Sequence, residues 1–276
     1  MKNRVVSTLN RMAARAGWRA AVSPSFPSSI PSSNNWVDPV EEDELGGCAR
    51  NNRMARRSLT TSDVRPSDAE LLLKESDSLR YLLRRPIANQ DSTPALLCFL
   101  HDYNEAAPCD TIRALTRHGP FCGRGSPAAE RFAIVAPQLP CASDAWCLYA
   151  NAIQEIIEHE AQQHDCKPTR IYLTGFCVGG NGVFDLAQMQ PNLWNGLWAV
   201  DPTRVPDAET SCPIWLTLGE LSRQHSRAFI QKLGLASKTH VEGPRVWEDS
   251  GLDHVMTARR AYEDDRVYEW LLARSA

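Results

Sequence analysis

Residues able to do chemistry concentrate in a few short segments. The first is Gly175-Phe176-Cys177-Val178-Gly179-Gly180, a G-x-C-x-G pattern directly after the β-rich run Arg170–Thr174. Glycines at that spacing suit a sharp strand-to-helix turn, where side chains two positions from the centre would collide with backbone. Cys177 would then point out at the start of a helix, whose dipole favours a thiolate, with the Val178 N–H facing the same point as an oxyanion donor. Glycine-rich turns also bind phosphate, but neither the G-x-G-x-x-G spacing nor a GK[ST] ending is present. A buried structural cysteine in a glycine-rich turn is the bland alternative.

A base and an acid must come from elsewhere. His254, in the run Asp249–His254, follows the last expected strand and precedes the closing helix, so it can reach across to Cys177. His159 and His164 fall on a helix, His225 and His240 in surface segments, and His118 in a long loop. Two carboxylates compete to orient His254. Asp201 ends the run Gly196–Val200, and Glu220 lies just past Pro213–Leu218. Asp201 is favoured and Glu220 is the alternative; Asp253 adjoins His254 and points elsewhere. The loop Leu100–Asn104 follows a buried strand, where a backbone N–H of Asp102 or Tyr103 could supply a second oxyanion donor, with His101 ordering the loop. Phe176, Trp146 and Trp198, with Tyr103, are candidates to line an apolar substrate pocket, although such residues are more often core.

These residues need a frame. Pro94–Leu100 and Arg131–Pro137 are continuous apolar runs, the mark of strands buried on both faces. Further strands are expected at Ser78–Arg85, Arg170–Thr174, Gly196–Val200, Pro213–Leu218 and Arg245–Glu248. Helices are expected at Cys109–Arg117, Ala145 to about His164 (capped by Ser143 and Asp144), Gly179–Met189, Ser222–Leu233 and Thr257–Arg274. Ala69–Ser76 reads as a short helix or strand turn. The alternation predicts an α/β fold, a mostly parallel sheet with helices on both faces, with ligands beyond the carboxyl ends of the strands.

Composition bounds the rest. The chain has 276 residues, 43% of them hydrophobic, and a formal net charge of -3, which calls for no nucleic-acid partner. No apolar run approaches a membrane span. Nine cysteines at irregular spacing argue for a reducing compartment rather than a disulfide framework, and the lack of a CxxC pair argues against a structural zinc site. Residues 1–66 read as a disordered leader and 67–276 as the folded domain. The leader carries Lys2, Arg4, Arg11, Arg15 and Arg19 with no acid before Asp38. A cytoplasmic location is expected, with an organelle address as the alternative.

Taken together, Leu100–Glu105, Phe132–Pro140, Ile171–Ala187, Cys212–Glu220 and Ala261–Leu272 resemble the α/β-hydrolase superfamily. The similarity is to predicted esterases of the polyhydroxybutyrate-depolymerase and phospholipase/carboxylesterase type, over about residues 78 to 274. The resemblance implies the α/β-hydrolase fold and hydrolysis of carboxylic esters or thioesters through a covalent acyl-enzyme. Cys177 takes the nucleophile position, His254 the base, and Val178 with the Asp102–Tyr103 loop the oxyanion hole. It implies no cofactor and no metal, and a small-molecule ester or thioester as substrate. Three departures stand out. Relatives usually carry serine where Cys177 stands; the Cys variant is similar to dienelactone hydrolases. They often carry glycine where Asp102 stands. They place the acid after the strand that here precedes Ser222 and Arg223. A catalytically silent relative serving as a binding or scaffold protein stays open as the alternative, as does a peptidase or acyltransferase on the same fold.

Overall fold

Period-two alternation and continuous apolar runs become strands, and the apolar runs take the middle of the sheet. The computed structural model describes residues 71–85, 94–121, 129–164, 166–167, 170–222, 226–236 and 243–274. Expectations for residues 1–66, including the basic leader, lie outside these described residues. Eight strands form one sheet: β1 Leu71–Glu75, β2 Arg80–Arg84, β3 Ala95–Leu100, β4 Phe132–Gln138, β5 Ile171–Phe176, β6 Gly196–Val200, β7 Ile214–Leu218 and β8 Arg245–Asp249. Their order is β1-β2-β4-β3-β5-β6-β7-β8. The β1–β2 and β2–β4 pairings are antiparallel and the remainder parallel. Every residue of β3, β4, β5, β6 and β7 is buried, as expected of parallel strands covered on both faces.

Among the described residues, six α-helices cover the two faces: α1 Thr111–Leu115, α2 Ala150–Gln163, α3 Val178–Met189, α4 Ser226–Leu233, α5 His254–Tyr262 and α6 Asp265–Leu272. One core layer joins Leu96, Cys98, Val135 and Leu173 to Ile153 and Ile157 of α2, Val183 and Phe184 of α3, and Phe229 of α4. The other joins Leu97, Phe99, Ile134 and Tyr172 to Leu115 of α1, Ala258 and Tyr262 of α5, and Tyr268 and Leu271 of α6. Neighbouring strand residues thus feed opposite layers, as the pleat requires.

Three expectations need correction. The described part of the segment expected as a short helix or strand turn at Ala69–Ser76 is β1, an edge strand paired with β2. The helix expected from Ala145 starts later: Trp146–Tyr149 is a 3-10 turn with no side-chain cap, and α2 begins at Ala150. Asp144 does not cap it but accepts a hydrogen bond from the Tyr149 hydroxyl at 2.6 Å. The closing helix is broken at Glu263–Asp264, where the Asp264 carboxylate accepts from the Arg266 N–H at 3.0 Å and so starts α6. None of the described helices is long and apolar enough to cross a membrane. The seven described cysteines form no disulfide.

Candidate functional site

Strand β5 ends at Phe176 and α3 begins at Val178, so Cys177 alone makes the turn. Its backbone sits at φ 56°, ψ -114°, a region that L side chains rarely adopt. The flanking glycines are there for space. A Cβ on Gly175 would come within 2.3 Å of the Gly179 carbonyl oxygen, and one on Gly179 within 2.0 Å of the Leu100 carbonyl oxygen. The Cys177 N–H donates to the Val200 carbonyl at 3.0 Å, which ties the turn to the end of β6.

That end of β6 carries the only other non-glycine positive φ among the described residues, Asp201 at 44°. The twist aims the Asp201 carboxylate at the end of β7 and at α5. There it accepts hydrogen bonds from the Gly219 N–H at 3.1 Å and the Ser222 hydroxyl at 2.7 Å, and it pairs with His254 Nδ1. A fully buried carboxylate needs such donors, because burying it bare would be costly. Glu220 is exposed and lies beside Gly251; the carboxylate on the His254 ring is that of Asp201. Ser222 therefore holds an acid supplied by the preceding strand.

His254 is the first residue of α5. Asp253 caps that helix by accepting from the Met256 N–H at 2.8 Å. The Phe176 ring packs against the imidazole with centroids 4.5 Å apart. With Nδ1 on Asp201, Nε2 is the nitrogen on the opposite edge of the ring. The ligating atoms of Cys177, His254 and Asp102 all lie within 4.8 Å of one another. A second brace holds the acid-bearing turn to α3. Asn181 Oδ1 accepts from the Thr203 and Arg204 N–H groups, both at 3.0 Å, and Arg204 pairs with Asp185 at 2.7 Å.

The loop after β3 departs from expectation. Asp102 to Glu105 form a capping box around a 3-10 turn. The Asp102 N–H donates to Glu105 Oε2 at 3.0 Å, and the Tyr103 N–H donates to the Asp102 carboxylate at 2.5 Å. Both amides expected as oxyanion donors are thus taken by side chains of their own loop. The pattern Asp102-x-x-Glu105 is the sequence signal for this box. His101 orders the loop as expected. It is fully buried, its Nδ1 lies 2.5 Å from the Asp102 carbonyl, and its Nε2 accepts from the Leu139 N–H at 2.9 Å. Burial pushes the His101 ring below its ordinary pKa, in keeping with a neutral imidazole.

Of the expected pocket-lining residues, Phe176 lies against His254 and Tyr103 is exposed at the loop. Trp146 and Trp198 are core instead. Trp146 packs on His101 and under Gly182, and Trp198 packs on Tyr262 and Tyr268.

No family model and no curated protein matches the sequence. Solved structures do match. A thermostable esterase superposes at TM-score 0.56 with 20% identity, over 76% of this chain; the chain spans 64% of that protein's length. A feruloyl esterase module from Clostridium thermocellum gives 0.54 with 8% identity, over 80% of this chain and 96% of the other. The S-formylglutathione hydrolase FrmB of Staphylococcus aureus gives 0.52 with 14% identity, over 74% and 95%. At such identities the likeness speaks to architecture. Strand order, helical layers and these neighbours agree that the chain has the α/β-hydrolase fold.

Proposed function

We propose that the chain hydrolyses small carboxylic esters or thioesters through an acyl-enzyme on Cys177, with His254 as base and Asp201 as the acid that orients it. The observation that carries this reading is the strained turn that holds Cys177 at φ 56° beside an imidazole whose Nδ1 is paired with a buried carboxylate. Among the described residues, the only non-glycine positions at positive φ are this thiol and this acid. Neighbours that are esterases add support.

The cycle follows from the residues. His254 Nε2 takes the Cys177 thiol proton, and the sulfur attacks the substrate carbonyl carbon. The Val178 N–H stabilises the resulting oxyanion. His254 returns its proton to the departing alkoxide or thiolate as the carbonyl re-forms. A water then gives its proton to His254 while its oxygen attacks the thioester carbonyl carbon; the carbon–sulfur bond breaks, the acid leaves, and His254 returns the proton to the Cys177 sulfur. Asp201 keeps the Nδ1 proton in place and balances the imidazolium. Phe176 fixes the ring plane. The acid is assigned to Asp201 rather than Glu220, and a location in the cytoplasm fits the thiol chemistry.

One observation favours a second reading, a catalytically silent binding protein on the same fold. A carboxylate oxygen of Asp102 lies within 4.8 Å of the Cys177 sulfur and the His254 ring, where it would oppose a developing oxyanion, and the amides of its loop are engaged. Turnover of p-nitrophenyl acetate separates the two. The proposal expects hydrolysis that iodoacetamide abolishes and Cys177→Ala reduces to background, with Cys109→Ser/Cys141→Ser as the control for the two thiols exposed among the described residues. No turnover by the wild-type protein across short-chain esters and thioesters would favour the silent reading.

A further inference from the structure

Asp102 is not explained by ester hydrolysis. A negative group near a reactive thiol and a developing oxyanion opposes both. Its position makes sense for a positive occupant. Asp102, Cys177 and His254 offer one carboxylate oxygen, one sulfur and one imidazole nitrogen, all within 4.8 Å of one another. A tetrahedral zinc ion, with bonds of about 2.0–2.3 Å, needs its ligand atoms roughly 3.3–3.6 Å apart. The three side chains would close by at most about 1.5 Å, which modest side-chain rotations can supply.

The surroundings match what metal ligands require. Zinc-bound histidines almost always give their other ring nitrogen to a carboxylate or carbonyl, and here Asp201 holds His254 Nδ1. Ligating carboxylates are themselves hydrogen-bonded, and here the Tyr103 N–H holds one oxygen of Asp102. A set of one sulfur, one nitrogen and one oxygen suits zinc, a borderline-soft ion, better than magnesium or calcium.

We infer that Asp102, Cys177 and His254 form a three-ligand site for zinc that reversibly silences the nucleophile. On binding, the Cys177 thiol gives its proton to solvent, sulfur and Nε2 ligate the ion with an Asp102 oxygen, and a water completes the shell. No redox change occurs. Silencing rests on the proposed function; ion binding does not.

Titration of the EDTA-treated full-length protein with zinc against a chromophoric chelator tests the site. The expected result is one ion per chain, with affinity weakened at least tenfold in Cys177→Ala, in His254→Ala and in Asp102→Asn. The asparagine keeps an oxygen to cap Tyr103, so its fold is preserved while its charge is lost. Asp201→Asn, which touches only the far side of the ring, weakens binding about 10–100-fold. Cobalt(II) gives a thiolate-to-metal charge-transfer absorption that Cys177→Ala abolishes, and Cys109→Ser/Cys141→Ser retains it. Ester turnover falls as zinc fills the site and returns with EDTA. Absence of stoichiometric binding, or equal affinity in Cys177→Ala and Asp102→Asn, overturns the inference. Zinc binding by a protein without ester turnover leaves the ion site standing and sinks the hydrolase reading. Zinc-insensitive turnover does the reverse.

Discussion

Two sides of the site are built on opposite plans. On the β5–β8 side, residues far apart in the chain converge. Cys177, Asp201, Ser222 and His254 come from four different strand ends, and two of them sit at strained φ. On the β3 side, Asp102 and Glu105 cap their own short turn, which His101, His118 and Gln138 hold from outside. Strain that persists must be held by surrounding contacts, and the first side has them: Gly219, Ser222 and Asn181 all brace the acid or its turn. The second side engages the Asp102 and Tyr103 amides within its own turn. On the proposed reading, long-range convergence marks the part that would move protons, and local closure marks the part that would hold it back.

Breaking the convergent side gives the largest effect. Asp201→Asn leaves the hydrogen-bond sites but inverts the donor pattern toward Nδ1, so the imidazole loses its working tautomer. A thiol depends on the acid less than a hydroxyl does, and the expected loss in kcat is about 10²-fold. Glu220→Gln is expected to leave kcat within a factor of about two, and steady-state kinetics on one ester compares both.

Opening the closed side has the opposite sign. Asp102→Ala frees the Tyr103 N–H and removes the charge beside the thiol. An oxyanion donor is worth about 10²–10³ in rate when well aimed, and a partly aimed one is expected to raise kcat/KM on neutral esters about tenfold. The lost cap costs roughly 1 kcal/mol in denaturant unfolding. A fall in kcat/KM would mean that the carboxylate assists the reaction.

A milder cut on the convergent side removes one donor from the acid. Ser222→Ala is expected to lower kcat by a factor of about three to ten with KM little changed, and to cost about 1 kcal/mol of stability. The last effect is on stability alone and concerns the residue under the closed side. Burial holds the His101 ring below its ordinary value of 6.5, so in acid the unfolded chain binds a proton that the folded ring refuses. This destabilisation is absent above about pH 6.5 and grows as pH falls. His101→Gln is expected to flatten the loss of stability between about pH 6.5 and 5 by up to about 1.4 kcal/mol per pH unit, as read by urea unfolding.

Much of this was legible in the sequence where the signal is local. The apolar runs place the parallel strands, and G-x-C-x-G marks the turn, because glycine spacing reports directly on steric room. The choice between Asp201 and Glu220 was not decidable there, since it depends on a single backbone angle that turns Asp201 inward. Ser222 was noted only as standing in the acid's usual place; its bond to Asp201 spans 21 residues and leaves no pattern. The capping box at Asp102 was readable as a D-x-x-E spacing but was overshadowed by the expectation of free amides. The break before α6 was likewise encoded, in Asp264 as a cap, and hidden by a continuous apolar periodicity.

The most direct test of the central claim is to trap the covalent intermediate. Wild-type protein mixed briefly with p-nitrophenyl acetate, quenched in acid and mapped by peptide mass spectrometry, is expected to carry one acetyl group on Cys177. Cys177→Ala is expected to carry none there and to lose turnover. Sustained ester turnover in Cys177→Ala, or an acyl group that forms on another residue and tracks turnover, would contradict the assignment of this thiol as the nucleophile.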